Sequence, residues 1–241
     1  MRYKITLSYD GSGFCGWQSQ PNGNGVQDAV ELALKNLTGE TARVVGSGRT
    51  DAGVHAIAQV AHFDVCKALP SKTVIGGLNA YLPKSIRVLD AQEVGESFDA
   101  RKSAKRKTYM YLMYRGSPLP VLDGRGVCVG DVAVDAMRAE ANKLVGTHDF
   151  ATFMASGSSA KTSTRTVYDA RIDDDGYFIK FFITANGFLY NMVRIIAAQL
   201  IRAGKYGGVD LARLIAAHDR NEAKEVAPPD GLYLYRVEYG V

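Results

Sequence analysis

Hydrophobic residues recur along this chain with two different periods. Val26, Val30, Leu34 and Leu37 follow one another at helical spacing, which predicts a helix that lays one apolar side on a sheet. Short apolar runs rich in β-branched and aromatic residues predict strands elsewhere. The predicted elements of the first half are strands over 3–9 and 86–94, helices over 26–37 and 71–80, and two strands that flank residues 46–53.

The second half repeats the alternation of strands and helices, although no residue-level repeat is visible. Two α+β halves of strand-helix-strand type follow from this order of elements. We place the boundary near Lys105, which gives an N-terminal α+β domain of residues 1–105 and a C-terminal α+β domain of residues 106–241. The elements predicted there are strands over 108–114, 164–173, 177–185 and 232–238, and helices over 132–144, 188–203 and 210–217.

The segment GSGRTDAGVH (46–55) carries the strongest signal for chemistry. It lies between two apolar, strand-like runs, so Asp51 is predicted at a loop tip. Gly46, Gly48 and Gly53 allow positive φ angles or a close backbone approach, which a plain hairpin needs only once. Two interpretations remain open from these residues alone: Asp51 caps its own turn, or it performs a reaction.

Composition excludes several classes of protein. Of 241 residues, 46% are hydrophobic and 22% charged, as in an ordinary globular protein. The N-terminus lacks a signal-peptide pattern and no run suits a membrane helix, so a cytoplasmic protein without membrane contact is expected. Cys15, Cys66 and Cys128 are widely spaced, and the four histidines have no ligand spacing. We therefore expect neither disulfides nor a metal site.

The distribution of charge says more than the net charge of +4. Residues 101–115 contain six basic side chains and no carboxylate, and Tyr109, Tyr111 and Tyr114 are interleaved with them. A basic run is often only a solvated face. Cations beside aromatic rings also suit phosphate contact and base stacking, which favours a nucleic-acid partner.

Six blocks together resemble the tRNA pseudouridine synthases of the TruA family over nearly the whole chain. The resemblance begins with GRTDAGVHA (48–56), which looks like the family's catalytic signature. The remaining blocks follow the family's order: YDGSGFCGWQSQ (9–20), GVQDAVELAL (25–34), FDARKSAKRKTYMY (98–111), NGFLYNMVRII (186–196) and APPDGLYL (227–234).

The resemblance implies a fold and a reaction. The expected fold is α+β, with two ferredoxin-like halves that form an extended, mostly antiparallel sheet, helices packed on it and an active-site cleft between the halves. The expected activity is the isomerisation of uridines in the anticodon stem-loop of tRNA, without a cofactor, by a homodimer. This chemistry needs an ionised carboxylate in a pocket shielded from water, and such a carboxylate needs a cation or several donors beside it.

The resemblance also assigns residues. Asp51 matches the essential catalytic aspartate, and Arg194 matches the cation that pairs with it. Without the family, Arg194 could equally be a helix-surface arginine with its stem on apolar residues. Tyr109 matches the tyrosine that stacks on the target base, although its strand-like run alone favours a core position.

Further assignments concern RNA binding. Arg49 is expected to bind substrate at the pocket entrance or, alternatively, only to neutralise Asp51. Leu232 is expected to line the base pocket, with a buried strand leucine as the simpler interpretation. The proposed phosphate contacts are Arg101, Lys105, Arg106 and Lys107.

The sequence is compatible with two other functions to different degrees. A non-catalytic RNA-binding module would explain the basic run but would leave the aspartate loop without a purpose. An aspartic-protease-like hydrolase needs two carboxylates that share a proton, and the chain has no second segment of this kind.

Overall fold

The chain forms two compact units, one of Met1–Lys105 together with the last strand from Leu234 onward, and one of Arg106–Tyr233. The structure is a computed structural model that describes residues 1–21, 23–158 and 160–240. The last strand is therefore grouped with the N-terminal unit, whereas the sequence division placed all residues after 105 in the C-terminal domain.

The N-terminal unit follows the β-α-β-β-α-β order of ferredoxin-like folds. Its elements are β1 (Arg2–Tyr9), α1 (Val26–Thr38), β2 (Val45–Gly46), β3 (His55–Asp64), α2 (Ser71–Tyr81) and β4 (Ile86–Val94), together with the part of β10 (Leu232–Tyr239) from Leu234 onward. The strands lie in the order β4-β1-β3-β10 with β2 paired to β3, and the pairs β1/β3, β1/β4 and β2/β3 are antiparallel.

Helix α1 packs as its pattern predicts. Val26, Val30 and Leu34 are fully buried, and Leu37 fits against Gly77 of α2, where a Cβ atom would come within 2.4 Å of its Cδ1. The helix ends at Gly39, whose φ of 77° is the left-handed conformation that favours glycine. In β1, every second side chain from Tyr3 to Tyr9 is buried, so one side of this strand faces the core.

The C-terminal unit repeats this order as far as the second main helix, with additions. Its elements are β5 (Ala104–Tyr114), β6 (Val127–Cys128), α3 (Val134–Asn142), β7 (Gly146–Asp149), β8 (Thr164–Asp174), β9 (Phe178–Ala185), α4 (Met192–Tyr206) and α5 (Leu211–Ala217). The strands lie in the order β5-β9-β8-β7, all antiparallel, and the short strand β6 pairs in parallel with β5. Helix α3 packs on α4 and on β8.

The α+β class is confirmed, but several element bounds differ from the sequence pattern, such as the start of β5 at Ala104 and not at 108. The strand predicted over 41–45 is only two residues long, because Val44 bonds side chains of α1: its N–H donates to Glu31 and its carbonyl accepts from Gln27. Helix α4 begins at Met192 and not at 188, since Asn191 has a φ of 59°. The sequence pattern does not predict the short strands β6 and β7: β6 lies in a run of only three hydrophobic residues, and β7 (Gly146–Asp149) has none.

Candidate active site

The loop that carries Asp51 ends in a tight turn. The backbone carbonyl of Asp51 accepts a hydrogen bond from the N–H of Val54 at 3.1 Å, and Gly53, the third residue of the turn, has a φ of 78°. A turn with positive φ at this position requires glycine or asparagine. The turn leads directly into β3, and the Asp51 side chain is half-buried.

Backbone packing holds this loop from the side of residues 11–17. A Cβ atom on Gly16 would lie 2.4 Å from the carbonyl oxygen of Thr50, and one on Gly11 would lie 2.1 Å from that of Val54. The N–H of Trp17 donates to the Thr50 carbonyl at 3.1 Å. The two segments can approach this closely only because two glycines face the Asp51 loop.

A buried polar cluster holds the other side of the loop. The hydroxyls of Tyr9 and Thr50 are 2.8 Å apart. Ser47 donates to Gln59 at 2.7 Å, and the Gln59 amide donates to the carbonyl of Gly48 at 2.9 Å. Gln59 is completely buried, and burial raises the pKa of Tyr9 despite its hydrogen bonds. The loop is therefore fixed at Gly48 and at Thr50, which directly precedes Asp51.

Sequence reasoning missed Gln59. The only available signal was a polar residue in the middle of an apolar strand, VHAIAQVAHF, and such a residue needs a buried partner.

Arg49 lies on the exposed side of the same loop. Its Nε donates to the side chain of Gln18 at 3.1 Å. Gln18 in turn donates to Gln27 at 3.0 Å, which also bonds Glu31 on α1. This chain of amides orients the Arg49 guanidinium at the surface, beside the loop that carries Asp51.

Tyr109 lies on β5 and is 8% exposed. Its ring meets that of Phe188 edge to face, with centroids 5.0 Å apart. Tyr111, on the same side of the strand, donates its hydroxyl to the carbonyl of Pro228 at 2.8 Å. The rings of Tyr109 and Tyr111 therefore lie next to each other on this side of β5.

Arg194 lies in the first turn of α4, and its side chain is fixed at two atoms. Nε donates to the carbonyl of Ala227 at 2.8 Å, and Nη1 donates to the Asn191 side chain at 2.9 Å. Burial raises the pKa of Tyr111, and the positive charge of Arg194 acts in the opposite direction, so the two groups are close. Asn191 takes a left-handed conformation that ends the preceding turn and presents its amide to Arg194.

The segment after Ala227 packs on β5. A Cβ atom on Gly231 would lie 2.8 Å from the carbonyl oxygen of Leu112 and 2.9 Å from the Tyr111 ring. Leu232 follows as the first residue of β10 and is buried. The block DGLYL is thus placed on the aromatic side of the strand that carries Tyr109.

The four cations proposed as phosphate contacts are accessible. Three are exposed and Lys107 is half-exposed. The carboxylate of Asp99 accepts the backbone N–H groups of Arg101 and Lys102, which shapes the loop before β5. Arg106 lies over the ring of Tyr168, with the guanidinium carbon 4.4 Å from its centroid. These cations are Arg101, Lys105, Arg106 and Lys107.

The predicted site residues divide between the two units. Asp51, Arg49, Arg101 and Lys105 belong to the N-terminal unit. Tyr109, Arg194, Leu232, Arg106 and Lys107 belong to the C-terminal unit. Within the described ranges, no group of three or more His, Cys, Asp or Glu side chains could hold a metal ion, and no helix is long and apolar enough to span a membrane.

Comparison with known proteins shows to which family the chain belongs. Residues 5–101 and 141–240 match the family model described as tRNA pseudouridine synthase. The chain belongs to the tRNA pseudouridine synthase family. Its resemblance to this family, inferred above from six sequence blocks, is confirmed.

Curated members of the tRNA pseudouridine synthase family match this chain over nearly its whole length. Proteins named tRNA pseudouridine synthase A from Caldicellulosiruptor bescii and Nitrobacter winogradskyi are each 42% identical to it. The alignments cover 98% of both chains for the first and 99% of this chain and 95% of the relative for the second. A protein of the same name from Syntrophomonas wolfei is 43% identical over 99% of this chain and 97% of the relative. The family's reaction is an isomerisation, so the chain belongs among the isomerases.

Proposed function

We propose that this protein converts uridines in the anticodon stem-loop of tRNA to pseudouridine, and that Asp51 is its essential catalytic residue. Family membership supports the reaction. The observation that carries the assignment of Asp51 is its loop: glycine packing on one side and buried side chains on the other hold a half-buried carboxylate that follows Thr50. An ordinary turn-capping aspartate does not need such support.

The reaction breaks the bond between C1′ of the ribose and N1 of uracil, turns the base, and joins C5 to C1′. The hydrogen at C5 leaves as a proton and N1 regains a proton, so no net oxidation occurs and no cofactor is needed. The Asp51 carboxylate either attacks the base, attacks the sugar, or removes a proton from a glycal-type intermediate. All three routes require the ionised form of Asp51.

The remaining site residues bind and orient the substrate. Arg194 pairs with the Asp51 carboxylate and keeps it ionised. Tyr109 stacks on the extruded uracil, an interaction of about 1 to 3 kcal/mol that offsets the few kcal/mol needed to unstack the base. Leu232 lines the base pocket, and Arg49 holds RNA at its entrance.

The cations Arg101, Lys105, Arg106 and Lys107 contact phosphates of the tRNA stem. If six phosphates are contacted in all, the slope of log affinity against log salt is roughly −4 to −5. A flat salt response would remove the phosphate contacts from the proposal. We further propose that the protein is cytoplasmic and forms a homodimer. Light scattering of the purified protein would test the homodimer.

The decisive experiment measures tritium released from tRNA labelled at C5 of uracil, because C5 must lose its hydrogen when it bonds C1′. Wild-type protein is expected to release tritium and the Asp51→Asn variant is not. If neither releases tritium while both bind tRNA, the protein is an RNA-binding module and the proposed activity is wrong.

A further inference from the structure

Arg165 lies at the end of the C-terminal unit's sheet that also carries Tyr109. It is the second residue of β8 and pairs with His148 of β7. Val167, two residues on, pairs with Ala185 of β9, which pairs with Lys107 of β5. Paired residues and residues two positions apart point to the same side of a sheet. Arg165, Lys107 and Tyr109 therefore share one side at one end of the sheet.

The loop after β9 links Arg165 to the aromatic rings. A Cβ atom on Gly187 would lie 3.6 Å from Nε of Arg165. The next residue, Phe188, packs against Tyr109. Two consecutive residues of one loop, Gly187 and Phe188, therefore connect Arg165 to Tyr109, whose ring is expected to stack on the base.

Within the part of the chain that the structure describes, one nitrogen of the Arg165 guanidinium makes hydrogen bonds. Nη1 donates to the backbone carbonyls of Thr162 at 2.9 Å and Thr164 at 2.6 Å. Among the described residues, Nε and Nη2 have no hydrogen-bond acceptor and no carboxylate forms an ion pair with Arg165. Burial lowers the pKa of Arg165, and no acidic group counteracts it.

A half-buried cation without a counter-ion is an unfavourable arrangement for a protein alone. The Nε–Nη2 edge of a guanidinium presents two parallel N–H donors and can bind a phosphate through two hydrogen bonds. We propose that Arg165 binds, through this edge, a phosphate of the tRNA strand that carries the target uridine. The proposal rests on the proposed function and adds a substrate-binding residue to that site.

Arg220 provides a matched control. It too is half-buried, burial lowers its pKa, and it donates to backbone carbonyls, those of Ala223 and Lys224. Arg220 differs from Arg165 in two respects. Both of its terminal nitrogens, Nη1 and Nη2, donate to backbone carbonyls. It also lies in a 3₁₀ turn (Arg220–Ala223) and not at the strand ends near Tyr109. We therefore expect Arg220 to stabilise its loop and not to bind RNA.

The test compares Arg165→Gln with Arg220→Gln in tRNA binding over a range of salt concentrations. Arg165→Gln is expected to raise Kd about 5- to 10-fold and to make the salt slope shallower by about 1, because one phosphate contact is lost. In the tritium-release assay, the KM of Arg165→Gln is expected to rise by the same factor as its Kd, while kcat changes little. Arg220→Gln leaves the slope and KM unchanged. An unchanged slope for Arg165→Gln would mean that Arg165 only braces its loop.

A second measurement uses the wild-type protein and so does not depend on the variant's folding. Arginine side chains are modified with phenylglyoxal with and without tRNA, and the modified peptides are identified by mass. Protection of Arg165 but not of Arg220 by tRNA is expected. Equal modification of Arg165 in both samples would overturn the proposal. Tritium release by the wild type in the same preparation keeps this outcome distinct from a failure of the proposed function.

Discussion

The two units hold their candidate site residues in different ways. In the N-terminal unit, the loop around Asp51 is held by close backbone packing, since two glycines let residues 11–17 lie directly against it, and by buried side chains on its other side. In the C-terminal unit, Arg194 is held by its own side-chain hydrogen bonds to a carbonyl and to Asn191. The first arrangement positions one residue rigidly. In the second arrangement, the position of the Arg194 guanidinium depends on a few hydrogen bonds.

The largest effect is expected from the reacting group itself. Asp51→Asn keeps the shape of the side chain but removes its charge, and kcat is expected to fall by about 10⁴-fold or more. The affinity for tRNA, measured by filter binding, should be unchanged. A variant with a tenth of the wild-type activity would show that Asp51 is not the essential group.

Arg194→Lys sharpens the comparison in the C-terminal unit. Lysine keeps the charge but cannot bond the Ala227 carbonyl and the Asn191 amide together with a carboxylate, so kcat should fall at least about 100-fold. If Asp51 and Arg194 act as a pair, the double variant Asp51→Asn, Arg194→Gln loses no more activity than Asp51→Asn alone. Independent, multiplying losses in single-turnover assays would refute the pairing.

Gly16→Ala tests the backbone packing of the N-terminal unit. The added methyl group would lie 2.4 Å from the Thr50 carbonyl oxygen, at a φ of 93° that alanine rarely adopts. We expect a loss of about 2 to 3 kcal/mol in the free energy of unfolding, or a displaced loop with reduced kcat.

Gly13→Ala is the control for this substitution, because a Cβ atom there has nothing within 4 Å. It should leave urea unfolding and kcat unchanged. Equal effects of the two substitutions would mean that general loop flexibility, and not the close approach to Thr50, determines activity.

Tyr109 tests the role of an aromatic ring. Tyr109→Phe keeps a stacking surface, whereas Tyr109→Leu removes it at a loss of about 1 to 3 kcal/mol in substrate binding. The leucine variant should therefore have a kcat/KM at least about 5-fold below that of the phenylalanine variant, at similar melting temperatures. Equal kcat/KM values for the two variants would exclude base stacking. A large loss of kcat/KM already in Tyr109→Phe would assign the role to the hydroxyl.

The smallest effect concerns the ion pair that each unit places at a sheet end. Arg115 donates two hydrogen bonds to Asp174 and holds its pKa at about 2, below the ordinary 3.8. A lowered carboxylate pKa adds stability above pH 4, and this stability is lost as the pH falls from about 4 to 2. Asp174→Asn should thus lose about 1 to 2 kcal/mol at pH 7 and almost nothing near pH 2.

The corresponding pair of the N-terminal unit is Arg2 with Asp64. The Asp64 side chain is 58% exposed and that of Asp174 is 18% exposed. Solvent screens the more exposed pair, so Asp64→Asn should have the smaller effect on urea unfolding at pH 7. The reverse order would show that exposure does not decide the strength of these pairs.

Most of the long elements could be predicted from local sequence. Helix α1 begins at Val26 as predicted, because its apolar stripe and Gly39 are local signals. Helix α4 begins four residues later than predicted, since the left-handed conformation of Asn191 is not visible in a run of apolar residues. The roles of Asp51, Tyr109, Arg194 and the other site residues remain predictions from the family resemblance.

By itself, the sequence determined the α+β class, the family and the loop that carries Asp51, because periodicity, glycine spacing and motif order are local properties of the chain. The tertiary structure alone decided which partners support that loop. Gln59, Tyr9 and Gly16 reach it from separate segments, and strand register places Arg165 beside the loop that holds Phe188. Contacts of this kind depend on which strands pair and in what register, and neither follows from the local pattern of residues.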